Sequence, residues 1–231
     1  VTERRVDNAL YILKAETKGT KMTTSSLNCV LSAYASNGLV DKAFETYDNF
    51  ADYEITPNSD TFAYLMESLS VDATTLIPVN INHIMGKWEN QTECIINQQK
   101  TDDYDEWKSS RLMAADVILL TMKDKGFLKT EQIIHEYIRL LCVFSETEKA
   151  RDFITHILDS NDKKMEENSR ISLETFVILS NSIGLSGQIE SAFEVANLSQ
   201  RAGYYNGLPK HIMTRLHQLK ANAESDFSTV N

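Results

Sequence analysis

An all-α fold, a right-handed α-solenoid of stacked helical hairpins, is the architecture that three observations predict. The stretch Thr24–Asn58 holds two amphipathic segments, joined at Asn37-Gly38 and closed by Pro57-Asn58. The pattern restarts at once with Ser59–Leu69. Two later stretches, Glu146–Phe153 and Ser186–Glu194, repeat its second half. Self-similarity at a period of roughly 20–50 residues marks stacked units, because one hairpin cannot bury its apolar face alone.

The elements follow in order. Val6, Leu10 and Leu13 share one face over Glu3–Thr17, so residues 1–22 read as the second helix of a preceding hairpin. The chain begins at Val1 with no targeting segment in view, which suits one part of a longer array. In the unit 24–58, Leu27, Val30, Leu31 and Tyr34 fall at i, i+3, i+4 and i+7. Ser25 and Ser26 are placed to cap that helix, and Gly38 to end it. Val40, Ala43, Phe44 and Tyr47 form the second stripe, with small Ala43 allowing close approach. Cys29 lies beside the first stripe and reads as a buried thiol.

Residues 59–93 read as a degenerate unit and 94–128 as an irregular helical insertion, with a helix over Trp107–Lys125. Within it, Glu89–Lys108 is polar, and Asp102, Asp103 and Asp105 read as a solvated loop or protein-docking element. Residues 129–168 form another degenerate unit, whose polar run Asn161–Asn168 absorbs extra length. Residues 169–207 form a well-matched unit. Residues 208–231 form a terminal helix, from Pro209 to Ala223, and a frayed polar tail.

Composition bounds the function. The 231 residues are 42% hydrophobic, enough for a sizeable core. The net charge of −10 opposes bulk attraction to a polyanion, and only doublets such as Arg4-Arg5 and Lys163-Lys164 stand out as basic. No apolar run reaches the ~18 residues that span a bilayer, so no membrane partner is expected. Cys29, Cys94 and Cys142 are dispersed, which suits a reducing compartment. His83, His135, His156, His211 and His217 stand in no zinc motif. No phosphate-cradling loop or nucleophile elbow occurs, so neither catalysis, nor a metal or cofactor, nor a small-molecule substrate is expected. Trp88 and Trp107 read as packing anchors.

The 35 residues of Thr24–Asn58 resemble a pentatricopeptide repeat. The match rests on Leu31, Ala33-Tyr34, Asn37-Gly38, Ala43 and Ile55-x-Pro57-Asn58. It continues with Thr61-Phe62 and Leu65-Met66 through Leu69. The tetratricopeptide unit is shorter by one residue, and its Trp-Leu-Gly-Tyr pattern is absent. The resemblance implies base reading through the fifth and last positions of a unit, with the second position packed against the base. Those positions are Asn28, Asn58 and Ser25, and an Asn amide can address a Watson–Crick edge. Later units depart from the pattern. Asp60 takes the packing position, Ala63 and Val177 the fifth, and Gly207 the last.

The family works in mitochondria and plastids on RNA. The resemblance therefore implies a non-enzymatic component or scaffold of a large ribonucleoprotein, such as the mitochondrial ribosome, in the mitochondrial matrix or a plastid. Its partners would be protein subunits, with single-stranded or ribosomal RNA touched at few points. A purely protein-binding scaffold, or the accessory array of an RNA-processing enzyme, are the alternatives.

Overall fold

A computed structural model describes residues 22–71, 103–127, 130–159 and 171–228. The readings of 1–21, 72–102 and 160–170, Trp88 among them, lie outside the described residues. All regular structure among the described residues is helical. The helices are α1 (Thr24–Ala35), α2 (Val40–Asp52), α3 (Ser59–Val71), α4 (Asp103–Asp124), α5 (Glu131–Val143), α6 (Thr147–Asp159), α7 (Leu173–Leu185), α8 (Ile189–Arg201) and α9 (Lys210–Ser228). The chain divides into two compact units, one up to residue 129 and the other from residue 130.

The helices repeat in length and in the way they stop. Six of them (α1, α2, α4, α5, α7 and α8) end on a left-handed residue: Gly38, Glu54, Gly126, Ser145, Gly187 and Gly203. At each, that residue's N–H reaches a carbonyl three residues back, and the next N–H reaches five back, as in Gly38 to Ala35 and Leu39 to Tyr34. This double bond satisfies carbonyls that a helix end leaves open. Glycine takes the conformation at little cost, whereas Glu54 (φ 53) and Ser145 (φ 60) adopt it against the clash of their own Cβ.

In the first unit, α1 packs against α2 and α3, and α3 against α2 and α4. Leu27, Leu31 and Ala43 are fully buried there. Met22, Leu27 and Phe50 form one cluster, with Tyr53 and Ile55 against it. Tyr47 bridges to Phe62, whose ring meets Phe127 at 5.6 Å. Helix α4 docks on α3 through Arg111. This buried guanidinium lies over the Trp107 ring and donates to the Leu69 carbonyl at 3.2 Å. A cation at the carbonyl end of a helix is favoured by the dipole.

In the second unit, α7 packs against α5, α6, α8 and α9. Two hydrogen bonds tie α7 to α5, His135 to Thr175 and Ser182 to the Cys142 carbonyl, each across 40 residues. Equal offsets at both ends of a helix pair require parallel register. Helices α6 and α8 repeat this through Arg151–Glu194 and Asp159–Arg201, 43 and 42 residues apart. Such exposed ion pairs contribute little stability, so they report register more than they create it. Ala150 and Ala192 sit fourth in their helices, as Ala43 does in α2, and all three are fully buried. A helical-repeat architecture is therefore present in both units.

Several local expectations are corrected. Thr23, rather than Ser25 or Ser26, caps α1 by accepting from the Ser26 N–H. Cys29 is exposed. Asp103 and Asp105 belong to the first turn of α4, so the solvated loop does not extend over them. That helix starts four residues before Trp107. Helix α9 runs on to Ser228, through most of the segment expected to fray.

Candidate binding surface

The candidate positions Asn28 and Asn58 meet at the junction of α1 and α3. Asn28 Nδ2 donates to Asn58 Oδ1 at 3.0 Å, and Thr61 Oγ1 donates to Asn28 Oδ1 at 2.8 Å. Asn58 Oδ1 also accepts from the Thr61 N–H at 3.1 Å, while the Asn58 N–H donates to Thr61 Oγ1 at 3.1 Å. The last two bonds are a reciprocal cap on the start of α3, with Thr61 in the role usually taken by Glu or Gln. Asn58 Nδ2 donates to Asp60 at 3.3 Å. Thr61 is fully buried and Asn28 nearly so. Both oxygens of the Asn pair are thus engaged within the chain, and each amide nitrogen donates inside it. Ser25 stands apart, exposed on the first turn of α1.

The second unit builds the same interlock from different residues. Counted from Glu131, the fifth position of α5 is His135, and its Nδ1 lies 3.0 Å from Thr175 Oγ1. Ser172 caps α7 by accepting from the Thr175 N–H, and the two hydroxyls are 2.9 Å apart. His135, Ser172 and Thr175 thereby match Asn28, Asn58 and Thr61 in place. Sequence reasoning gave Thr61, His135, Ser172 and Thr175 no part in such a junction. The available signal was the pair Asn58-x-x-Thr61 and Ser172-x-x-Thr175, a cap residue with a hydroxyl three positions on.

The other mapped positions are unlike these. Ala63 is buried and carries no polar group. Val177 is half-buried on α7, and Gly207 is buried with φ 62 against the Gln200 side chain. Along α5, Glu136 is buried and meets Arg139 at 3.4 Å. Burial pushes the Cys142 thiol up to about 11, partly offset by its hydrogen bond with Ser182. Such a thiol is a weak nucleophile near neutrality. Among the described residues, no group of three or more His, Cys, Asp or Glu is placed to hold a metal ion. No helix among them is long and apolar enough to cross a membrane.

A different surface lies on α9. An open depression of about 540 Å³ is lined, among the described residues, by Lys210, His211, Thr214, Arg215 and Gln218. Neither a protein-family model nor a curated protein sequence matches the chain.

Proposed function

We propose that this chain is a non-catalytic helical-repeat protein, similar to pentatricopeptide repeat proteins, that serves as an RNA-associated component or scaffold of a large ribonucleoprotein. Its units extend as a right-handed α-solenoid, and its place is organellar gene expression, with the mitochondrial ribosome in the matrix as the leading example. The observation that carries this reading is the interlock repeated in both units. Within each unit it joins the fifth residue of one hairpin repeat to the cap of the next repeat, at Asn28–Asn58–Thr61 and at His135–Ser172–Thr175. Repeats joined in this way form broad surfaces rather than an enclosed catalytic pocket.

The internal bonding of Asn28 and Asn58 favours gripping protein subunits over reading a base sequence, since a buried amide already paired within the protein gains little from a new partner. This also supports the second reading, a scaffold that binds protein alone. Sedimentation of organelle lysate, with and without ribonuclease, separates the two. The ribonucleoprotein reading expects the chain in a large particle that ribonuclease shifts. A particle indifferent to ribonuclease supports the protein scaffold, and migration only in light fractions refutes both.

A further inference from the structure

Two junctions between successive repeats are pinned by polar side chains, and a third is not. Asn28, Asn58 and Thr61 join α1 to α3, and His135, Ser172 and Thr175 join α5 to α7. The matching places at the junction of α7 with α9 hold Val177, Pro209 and Ile212. None of the three has a side-chain donor or acceptor, so the interlock cannot form there. Nor can Pro209 cap α9 as Ser172 caps α7.

Helix α9 seats on one side of α7. A Cβ added at Gly184 would come within 2.9 Å of Leu216 Cδ2 and 3.4 Å of Leu219 Cδ1, so the two helices approach closely there. Val177, Asn181 and Gly184 fall at i, i+4 and i+7, which puts all three on that side. The Asn181 side-chain oxygen is buried, and no hydrogen-bond partner meets it among the described residues. A buried acceptor left open costs the docked state free energy that water returns when the helices part. The apolar hold is narrow as well. Thr175, Phe176, Leu179, Ser180, Ile183 and Gly184 of α7 are buried, whereas Ile212 and Leu216 are the buried ones among the described side chains of α9. Lys220 meets Glu190 of α8 at 2.6 Å, an exposed pair that adds little. The connection from α8 passes through two left-handed glycines, Gly203 (φ 99) and Gly207 (φ 62), with Tyr205 exposed between them. Glycine absorbs a change of backbone direction without side-chain strain.

Few buried contacts and an open polar group mark a segment of low local stability. We propose that α9 is a detachable latch. It parts from α7 as one unit, hinged at Gly203–Gly207, while α5 to α8 stay folded, and it uncovers Val177, Asn181 and Gly184. That side of α7 corresponds to the side of α5 that carries His135. The latch therefore controls whether the seat of a repeat is open or closed.

The test is hydrogen–deuterium exchange of the full chain, read on peptides from α5, α7, α8 and α9 in graded urea below the unfolding range. The amides of α9 should exchange together, on the order of a hundredfold faster than those of α7, and their exchange should quicken with urea because buried surface opens. Asn181→Leu removes the open acceptor and should slow α9 on the order of tenfold while leaving α5 unchanged. Leu216→Ala should quicken α9 on the order of a hundredfold and leave α5 and α7 protected. Circular dichroism checks that both variants keep their helices. Protection of α9 equal to that of α7 overturns the proposal. So does exchange in α9 that ignores urea, which is fraying rather than release, or a loss of protection in α5 and α7 that tracks α9 in Leu216→Ala. An unchanged α9 in Asn181→Leu removes the open acceptor as a cause and overturns it too.

Discussion

Replacing Thr61 with Val keeps the shape of a fully buried side chain and removes only its hydroxyl. Asn28 Oδ1 then loses its 2.8 Å donor in a nearly buried place, and the Asn58 N–H loses its 3.1 Å acceptor. An orphaned buried polar group costs about 1–3 kcal/mol. Asn58 is half-buried, so water recovers part of its share. The expected loss is about 2 kcal/mol, which moves a urea midpoint down by about 1 M for a slope near 2 kcal/mol per molar. Far-ultraviolet circular dichroism in urea reads the shift. Asn28→Ala leaves Thr61 its second acceptor, Asn58 Oδ1 at 3.0 Å. The double variant should therefore cost less than the sum of the singles by about 1 kcal/mol. Thr175→Val should cost a similar amount in the second unit, where its partners are His135 and Ser172. An unchanged midpoint for Thr61→Val, or strict additivity with Asn28→Ala, refutes the interlock as a source of stability.

Four further outcomes can be checked. Gly187 has φ +85 and open space around its missing Cβ, so Gly187→Ala should cost about 1–2 kcal/mol from backbone strain alone. At Ser145, φ 60, the sign reverses, and Ser145→Gly should gain about 0.5 kcal/mol in urea unfolding once unfolded-chain entropy is subtracted. Gly184→Ala brings a Cβ to 2.9 Å from Leu216 Cδ2, and Leu216 is fully buried. The overpacking should exceed the helix-propensity gain by about 1 kcal/mol, and Leu216→Val should relieve it in a double-variant midpoint. The Cys142 thiol, raised from its ordinary 9.0 to about 11 by burial, contributes stability that is complete below pH 9 and lost as pH rises through 11. Alkylation at pH 8 should accordingly label exposed Cys29 well before Cys142, and Cys142→Ala should flatten the alkaline fall in the urea midpoint.

Local chemistry made much of the helical pattern legible without coordinates. Leu27, Val30, Leu31 and Tyr34 declare one buried face by spacing alone, and Asn37-Gly38 and Ser186-Gly187 mark their turns because glycine has no Cβ to clash. The same residues suggested hairpins repeated along the chain. The turn before Glu146–Phe153 was legible from the repeat as well, but not its left-handed Ser145, since a serine gives no sign of that backbone. Cys29 illustrates the limit of periodicity: one helical step from the apolar stripe separates buried Asn28 from an exposed thiol. The pairing of Asn28 with Asn58 depends on groups 30 residues apart, and of His135 with Thr175 on groups 40 apart. Those pairs form only when one first helix lies beside the next in register. Spacing along a single helix determines which side chains share a face; which polar atoms meet across two helices is decided by packing alone.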